Sequence, residues 1–195
     1  MSNPVLHLAS SSPRRRELLT ALGLDFSYDG VAVDESAIPG EAANDIVLRL
    51  ATAKARAAFD SGAYQVPVLG ADTVVSLDER IFGKPGSKEE ALRMLASLSG
   101  RTHEVLSGVA LVVNGELETA ISRTAVQFRE IHPDEAEAYW QSGEPAGKAG
   151  AYAVQGLGGI FVSAINGSYT GVVGLPVFES ADLLRRAGIR LPGTP

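Results

Sequence analysis

The sequence contains no cysteine and only three histidines among its 195 residues. The absence of cysteine excludes disulfides, thiolate metal sites and cysteine nucleophiles, and it is compatible with a reducing compartment. Three scattered histidines argue against a histidine-rich metal site. No apolar run approaches the ~18 residues that a membrane helix needs, and the N-terminus lacks the pattern of a secretory signal. The sequence therefore predicts a cytoplasmic protein with no membrane partner.

Basic charge is also scarce, since 17 lysines and arginines stand against 23 acidic residues and give a net charge of −6. This balance argues against broad binding to DNA or RNA, which needs a continuous basic face. Any polyanionic ligand must therefore meet a local basic cluster. With 45% hydrophobic residues and no repeat or long linker, residues 1–195 are predicted to form a single domain with room for two lobes.

One such basic cluster lies where an apolar strand over 5–9 leads through three serines into a helix opened by Pro13. Ser12 is the predicted N-cap of this helix. Its first turn holds Arg14, Arg15 and Arg16, although the positive end of the helix dipole disfavours cations there. An anion held by the serines, backbone N–H groups and arginines would remove this conflict, and a solvated basic helix end is the alternative. The stretch is not a Walker phosphate loop.

Hydrophobic periodicity predicts the remaining elements. Helices are expected over 41–61, 87–98, 133–140 and 176–188, and strands over 67–77, 81–82, 103–113, 116–128 and 160–165. Residues 24–33 are predicted as an extended connection. Asn114-Gly115 and Asn166-Gly167 both indicate hairpin turns. In the last helix, Phe178 is expected to face the core.

Asp72 interrupts the most continuously apolar strand pattern in the chain. A carboxylate in such a strand must be paired, hydrogen-bonded or bound to a cation, because burying it alone is too costly. Gly70 permits close backbone approach, and Thr73 adds a hydroxyl beside the carboxylate. A functional role is therefore favoured over a structural role in capping a loop.

Other polar residues carry weaker signals. Lys54 falls on the apolar stripe of its helix, where periodicity alone favours a lysine that extends past the core to solvent. Asp34 and Glu35 are adjacent loop carboxylates, which are usually solvated and more rarely bind a metal. Lys84 lies at a strand end before a proline. His103 is interpreted as a structural residue that bonds a backbone group.

Residues 144–176 hold eight of the 21 glycines, so the backbone there either turns tightly or approaches another group closely. The run Gly156–Gly159 is not a dinucleotide fingerprint, because no helix is predicted after it. The run Gly167–Gly171 misses the nucleophile elbow of serine hydrolases by one position. The sequence therefore supports neither dinucleotide binding nor serine hydrolase activity.

Four separated stretches together resemble the signature of the Maf family of nucleoside triphosphate pyrophosphatases. They are Ser10–Arg15, Gly70–Thr73 with Lys84-Pro85, Lys148–Tyr152 with Gln155-Gly156, and Gly167–Tyr169 with Gly174–Pro176. Their order and spacing make the resemblance specific. It implies an α/β fold with an elongated mixed sheet, similar to inosine triphosphatases, and a cleft between two lobes. It also implies metal-dependent hydrolysis of nucleoside triphosphates to monophosphate and pyrophosphate.

The resemblance further implies roles for individual residues. Asp72 is expected to be the proton acceptor. The residues expected to face the phosphates are Ser10, Arg14, Lys54 and Lys84, and those expected to bear on the base are Arg15, Thr73 and Gln155. Lys148 is also expected to bind the substrate. Asp72 and, as a hypothesis from the acidic pair alone, Glu35 would hold a Mg²⁺ or Mn²⁺ cofactor. The sequence Ala149–Tyr152 followed by Gln155-Gly156 is similar to the branch acting on dTTP and UTP, and unlike the branch preferring 7-methyl-GTP.

A non-catalytic nucleotide-binding regulator of septum formation or cell division is the alternative, because the family has also been linked to that process. Asp72 argues against it, since a pure binding module has little need for an unpaired carboxylate in an apolar strand. The sequence leaves open whether modified pyrimidine nucleotides are substrates, which metal is used, and whether the chain forms a homodimer.

Overall fold

The computed structural model describes residues 4–36 and 38–193, which form seven strands, six α-helices and two short 3₁₀ helices. In chain order the elements are β1 (Leu6–Ala9), α1 (Pro13–Ala21), β2 (Phe26–Asp29), α2 (Ala43–Asp60), β3 (Val68–Leu77), β4 (Arg80–Phe82), α3 (Lys88–Leu98), β5 (Thr102–Val113), β6 (Glu116–Phe128), α4 (Pro133–Gln141), the 3₁₀ helices Ala149–Ala151 and Leu157–Phe161, β7 (Val162–Asn166), α5 (Tyr169–Val173) and α6 (Val177–Arg186).

The strands form one mixed sheet in the order β2-β1-β3-β5-β6-β7, with β4 paired to β3. β1 runs parallel to both β2 and β3, whereas the other pairings are antiparallel. The predicted hairpin at Asn114-Gly115 is confirmed, and both residues have the positive φ angles of 51° and 86° that a tight hairpin turn requires. The predicted mixed α/β class is therefore confirmed.

Apolar side chains of the described residues pack into four clusters. One lobe is centred on Phe128 and Phe161 beside α3 and α4, and the other on Leu8, Leu19 and Leu184 beside α1 and α6. Strands β3 and β5 contribute to all four clusters, β5 through Val105, Leu111, Ala110 and Leu106 respectively. The two lobes thus share the central strands.

Helix α2 lies directly against the backbone of the sheet at two glycines. A Cβ atom at Gly70 would lie 2.3 Å from the carbonyl oxygen of Ala51, and one at Gly108 would lie 2.7 Å from that of Val47. The absence of side chains at these positions therefore sets the distance between α2 and strands β3 and β5. This close packing brings residues of α2 next to the middle of β3.

Three local predictions are wrong. Residues 24–33 were expected as a connection, yet 26–29 form the edge strand β2. Asn166-Gly167 leads into α5 instead of a hairpin, because the Ser168 side chain accepts a hydrogen bond from the Gly171 N–H and caps that helix. Phe178 is 77% exposed, since the inward face of α6 is formed by Ser180, Leu183 and Leu184.

The prediction that residues 1–195 form a single domain stays a prediction. Among the helices that the structure describes, none combines the length and apolar character needed to cross a bilayer.

Candidate active site

A cleft of about 590 Å³ lies between the two lobes. Its lining includes every residue that the sequence proposed for the site: Ser10, Arg14, Arg15, Glu35, Lys54, Asp72, Thr73, Lys84, Lys148 and Gln155. A larger cavity of about 1060 Å³ adjoins it and shares Glu35, Asp72 and Lys84, but its lining does not include Arg14, Arg15 or Lys148. The smaller cleft is therefore the candidate site, while the roles of the individual residues stay predictions.

The centre of the cleft is an ion cluster around Lys54. Its Nζ atom lies 2.7 Å from Asp72 Oδ1 and 2.6 Å from Glu35 Oε1. Lys54 and Asp72 are only 8% and 9% exposed, so the prediction that Lys54 extends to solvent is wrong. Lys84 Nζ approaches the other Glu35 oxygen at 3.5 Å. The hydrogen bond from Lys54 outweighs the effect of burial and lowers the pKa of Glu35, so this carboxyl is ionised.

The loop that carries Glu35 is attached to α2 by a residue that the sequence reading missed. Arg49 donates two hydrogen bonds of 2.6 Å to the Glu41 carboxylate and one of 3.3 Å to the Ser36 carbonyl oxygen. Asp34 accepts a hydrogen bond from the Ser36 N–H. Because Lys54 lies on the same helix as Arg49, α2 supplies both the ammonium group and the support for its carboxylate partner.

Two of the three arginines at the start of α1 face the cleft. Arg15 donates from Nε to the Gly174 carbonyl oxygen at 2.8 Å and from Nη1 to Ser10 Oγ at 3.3 Å. Arg14 Nε is buried and has no hydrogen-bond partner among the described residues. Arg16 instead lies over the Tyr28 ring, 4.3 Å from its centroid.

Burial destabilises the charged forms of the basic groups beside the start of α1. Burial lowers the pKa of Arg14 and of Arg15, with opposing effects from Glu17 on Arg14 and from Asp72 on Arg15. Burial and the Arg14 charge also lower the pKa of Lys148. Bound phosphate oxygens would both neutralise these charges and accept from the unpartnered Arg14 N–H. The anion interpretation of the sequence therefore fits this wall of the cleft better than a solvated helix end.

Helix α1 itself begins as predicted at Pro13, with Ser12 as N-cap residue, but the Ser12 side chain makes no capping hydrogen bond. The hydroxyl that acts locally is that of Ser10, which accepts from the Ser12 N–H at 3.2 Å. Ser10 is thereby held at the turn between β1 and α1, facing Arg15.

Thr73 and Gln155 also line the cleft. Ser107 donates to the Gly171 carbonyl oxygen at 2.7 Å, and the Thr73 hydroxyl lies 2.7 Å from Ser107 Oγ and 3.4 Å from the Gly174 carbonyl oxygen that also accepts from Arg15. Gln155 is exposed at the cleft and makes no hydrogen bond to another described residue. Its amide therefore offers a free donor and a free acceptor to a ligand.

His103 does not line the cleft. Its Nε2 atom is 2.9 Å from the hydroxyl of Tyr152, whereas a backbone partner was expected. Burial lowers the pKa of His103 to about 4, so its imidazole is neutral near pH 7. The residue supports Tyr152, which does line the cleft.

Two carboxylates are available for a divalent cation. No group of three or more His, Cys, Asp or Glu within 4–36 and 38–193 is arranged to hold a metal ion. Glu35 and Asp72, however, converge on the same ammonium group. Mg²⁺ is usually held by one or two carboxylates together with substrate phosphates and water, and Glu35 and Asp72 fit that requirement.

A family model described as "Maf-like protein" matches residues 5–187. The chain belongs to the Maf family. This Maf chain is 51% identical over 197 aligned residues to a dTTP/UTP pyrophosphatase of Bordetella avium, covering 97% of this chain and 98% of that protein. It is 52% identical over 184 residues to a dTTP/UTP pyrophosphatase of Methylococcus capsulatus, covering 94% and 91% of the two chains. A solved nucleoside-triphosphatase (dITP/XTP pyrophosphatase) of Mycobacterium abscessus superposes with a TM-score of 0.41 at 18% identity, covering 71% of this Maf chain and 94% of the other.

Proposed function

We propose that this Maf protein hydrolyses nucleoside triphosphates to nucleoside monophosphate and pyrophosphate. Its proposed substrates are dTTP and UTP, and modified pyrimidine nucleotides are further candidates. The observation that carries the proposal is the buried Asp72, paired with Lys54 in a cleft whose rim is basic. Relatives named dTTP/UTP pyrophosphatase that align over nearly the whole chain support the choice of bases.

The basic residues perform the first task of this chemistry, which is to bind a highly charged substrate. Arg14, Lys84 and Lys148 line the cleft and supply positive charge to the non-bridging phosphate oxygens. Ser10 adds a hydroxyl at the same turn. Since the Arg14 N–H is already buried and without a partner, binding an oxyanion there requires no loss of an existing hydrogen bond.

Asp72 performs the second task, which is to accept a proton. Water adds its oxygen to phosphorus, the α–β phosphoanhydride bond breaks, and the bridging oxygen leaves with pyrophosphate. The proton lost by the attacking water passes to a carboxylate oxygen of Asp72. Lys54 holds this carboxylate in place through its 2.7 Å contact with Oδ1, which leaves Oδ2 available to the water.

A divalent cation, when bound, neutralises the negative charge that develops on the phosphates, and Glu35 and Asp72 would hold it together with the substrate oxygens. Mg²⁺ and Mn²⁺ both suit oxygen ligands.

Gln155 is the residue we assign to base selection. Its amide can donate to O4 and accept from N3–H of thymine or uracil, and cytosine presents the reverse pattern at these two positions. We expect Gln155→Ala to relax the choice of base more than it slows turnover of dTTP.

The decisive experiment is pyrophosphate release by wild type and Asp72→Asn with Mg²⁺ or Mn²⁺, using dTTP, UTP, CTP, ATP, GTP and 7-methyl-GTP. We expect preference for dTTP and UTP, and a kcat lowered by about 10²- to 10⁴-fold in Asp72→Asn with binding retained. Asp34→Asn is the matched control, because it changes an exposed carboxylate in the neighbouring loop and should keep activity. Tight binding without turnover by wild type would instead favour the non-catalytic nucleotide-binding regulator.

We also propose that the protein acts in the cytoplasm, where its nucleotide substrates are found, as one domain that requires no nucleic acid. A homodimer stays a prediction, which sedimentation analysis at micromolar concentration tests.

A further inference from the structure

Gln155 lies in residues 153–158, a segment with little regular structure. Two side chains from outside this segment nevertheless form hydrogen bonds with its backbone at both ends. The hydroxyl of Tyr139, on α4, accepts a hydrogen bond from the Ala153 N–H at 3.1 Å. The same hydroxyl donates to Glu144 Oε1 at 2.7 Å. Tyr139 is 4% exposed, so water competes little for these bonds.

Glu144 continues the network on the other side of Gln155. Its Oε2 atom accepts from the Leu157 N–H and its Oε1 atom from the Gly158 N–H, both at 2.9 Å. Burial alone would raise the pKa of Glu144, but the hydrogen bonds from Tyr139, Gly158 and Leu157 and the Lys148 charge together lower it, so Glu144 is an ionised acceptor. Burial raises the pKa of the Tyr139 hydroxyl, which stays protonated and able to donate.

The same two side chains explain two glycines of this segment, Gly156 and Gly158. A Cβ atom at Gly156 would lie 2.1 Å from Glu144 Oε2, and one at Gly158 would lie 2.5 Å from the Tyr139 hydroxyl oxygen. Gly156 has an ordinary φ of −118°, so the requirement there is for space and not for an unusual backbone conformation. The backbone on the C-terminal side of Gln155 therefore packs directly against the Tyr139 and Glu144 side chains.

We propose that Tyr139 and Glu144 are positioning residues that set base selectivity by fixing the backbone on both sides of Gln155. This inference rests on the proposed function, in which Gln155 contacts the pyrimidine. Hydrogen-bond recognition of a base depends on placing the donor and the acceptor within a few tenths of an ångström. Displacement of the segment therefore weakens discrimination between pyrimidines without removing any group that contacts the phosphates.

Two variants disturb this network by different means. Tyr139→Phe removes the hydroxyl and leaves every charge in place. Glu144→Gln keeps the shape of the side chain but replaces one carboxylate oxygen with an NH₂ group. This NH₂ group cannot accept from a backbone N–H, so one of the three hydrogen bonds that Glu144 accepts in the wild type is lost.

Glu144→Gln also removes a negative charge that interacts with Arg14 and Lys148. That change acts on all triphosphates alike, so it alters KM for every substrate but not the ratio between substrates.

The measured quantity is the ratio of kcat/KM for dTTP to kcat/KM for CTP. We expect each variant to lower this ratio by about tenfold to a hundredfold. Neither variant should lower it further in a Gln155→Ala background, because a residue that acts through Gln155 has no effect on selectivity once Gln155 is gone. Glu137→Gln is the matched control: it makes the same acid-to-amide change on α4, at a partly exposed pair with Lys88, and should leave the ratio unchanged.

The outcomes separate this inference from the proposed function. A Gln155→Ala variant with the wild-type ratio would overturn the assignment of Gln155, and the inference with it. A lowered ratio in Gln155→Ala, together with wild-type ratios in both Tyr139→Phe and Glu144→Gln, would overturn the inference alone. Loss of thermal stability with an unchanged ratio would mean that the two residues only support the fold.

Discussion

The two walls of the cleft are built in different ways. On the side proposed to bind the phosphates, side chains come from α2, β3 and the turn between β1 and α1. Opposite charges there form direct ion pairs, as in the contact of Lys54 with Asp72 and Glu35. On the side proposed to bind the base, residues 149–161 contain only two short 3₁₀ helices, and backbone N–H groups of this stretch donate hydrogen bonds to Tyr139 and Glu144, which fix the chain. Regular elements thus place Lys54 and Asp72, whereas a hydrogen-bonded loop places Gln155, the residue proposed to select the base.

The largest effect on stability is expected from Lys54→Met on the phosphate side. This change leaves Asp72 buried without its cation, which should destabilise the fold by about 3–5 kcal/mol in urea unfolding. The double variant Lys54→Met/Asp72→Asn should recover much of that loss, because no buried charge is left alone. A double variant whose loss equals the sum of the two single losses would show that the pair is not energetically coupled.

His103 is a buried ionisable group that lies behind the cleft, in contact with Tyr152. Its contribution to the free energy of unfolding depends on pH. The folded-state pKa of about 4 lies below the ordinary value of 6.5, so the unfolded chain takes up the proton first. The free energy of unfolding should therefore fall as the pH drops from about 6.5 towards 4, by up to roughly 3 kcal/mol.

Unfolding measured between pH 7 and pH 4 should show a smaller decrease in His103→Gln than in wild type. His132→Gln should keep the wild-type pH dependence, because that histidine is exposed. Identical slopes in His103→Gln and wild type would contradict the neutral buried imidazole.

Gly70→Ala tests how closely the phosphate side depends on the spacing between α2 and β3. The added Cβ would lie 2.3 Å from the Ala51 carbonyl oxygen and 2.7 Å from the Ala55 nitrogen, so the helix must move away from the strand. We expect a loss of about 1–3 kcal/mol in urea unfolding, and a lower kcat because Lys54 and Asp72 separate. Gly83→Ala is the control for stability, since nothing lies within 4 Å of its Cβ position.

The smallest effect on stability is expected from Glu35→Gln. The Glu35 side chain is 45% exposed, so its pair with Lys54 should contribute no more than about 1 kcal/mol to unfolding. Its effect should appear instead in weaker Mn²⁺ binding, measured by calorimetry with a non-hydrolysable triphosphate present. Unchanged affinity for Mn²⁺ would exclude Glu35 as a metal ligand.

The sequence predicted the phosphate side better than the base side, for physical reasons. A carboxylate in an apolar strand and arginines at a helix start both break local rules, and Asp72, Arg14 and Arg15 all lie in the cleft. Lys54 was misinterpreted because periodicity identifies the face of a helix but not the partner that meets it. Tyr139 and Glu144 could not be found, because their partners are backbone groups of an irregular segment.

Elsewhere the misses have equally local causes. The edge strand β2 is short and mostly exposed, so its hydrophobic pattern is weak. Asn166-Gly167 has the composition of a hairpin turn, but the capping hydroxyl of Ser168 directs the chain into a helix.

The sharing of β3 and β5 among all four apolar clusters has a consequence for how the protein opens. Because neither lobe has a core independent of these strands, we expect the backbone amides of residues 68–77 and 105–112 to exchange with deuterium only when the whole described fold opens. Amides of residues 153–158, held by side chains at the edge of one cluster, should exchange through smaller openings. The part of the cleft proposed to select the base can then fluctuate while the part proposed to bind phosphate stays closed.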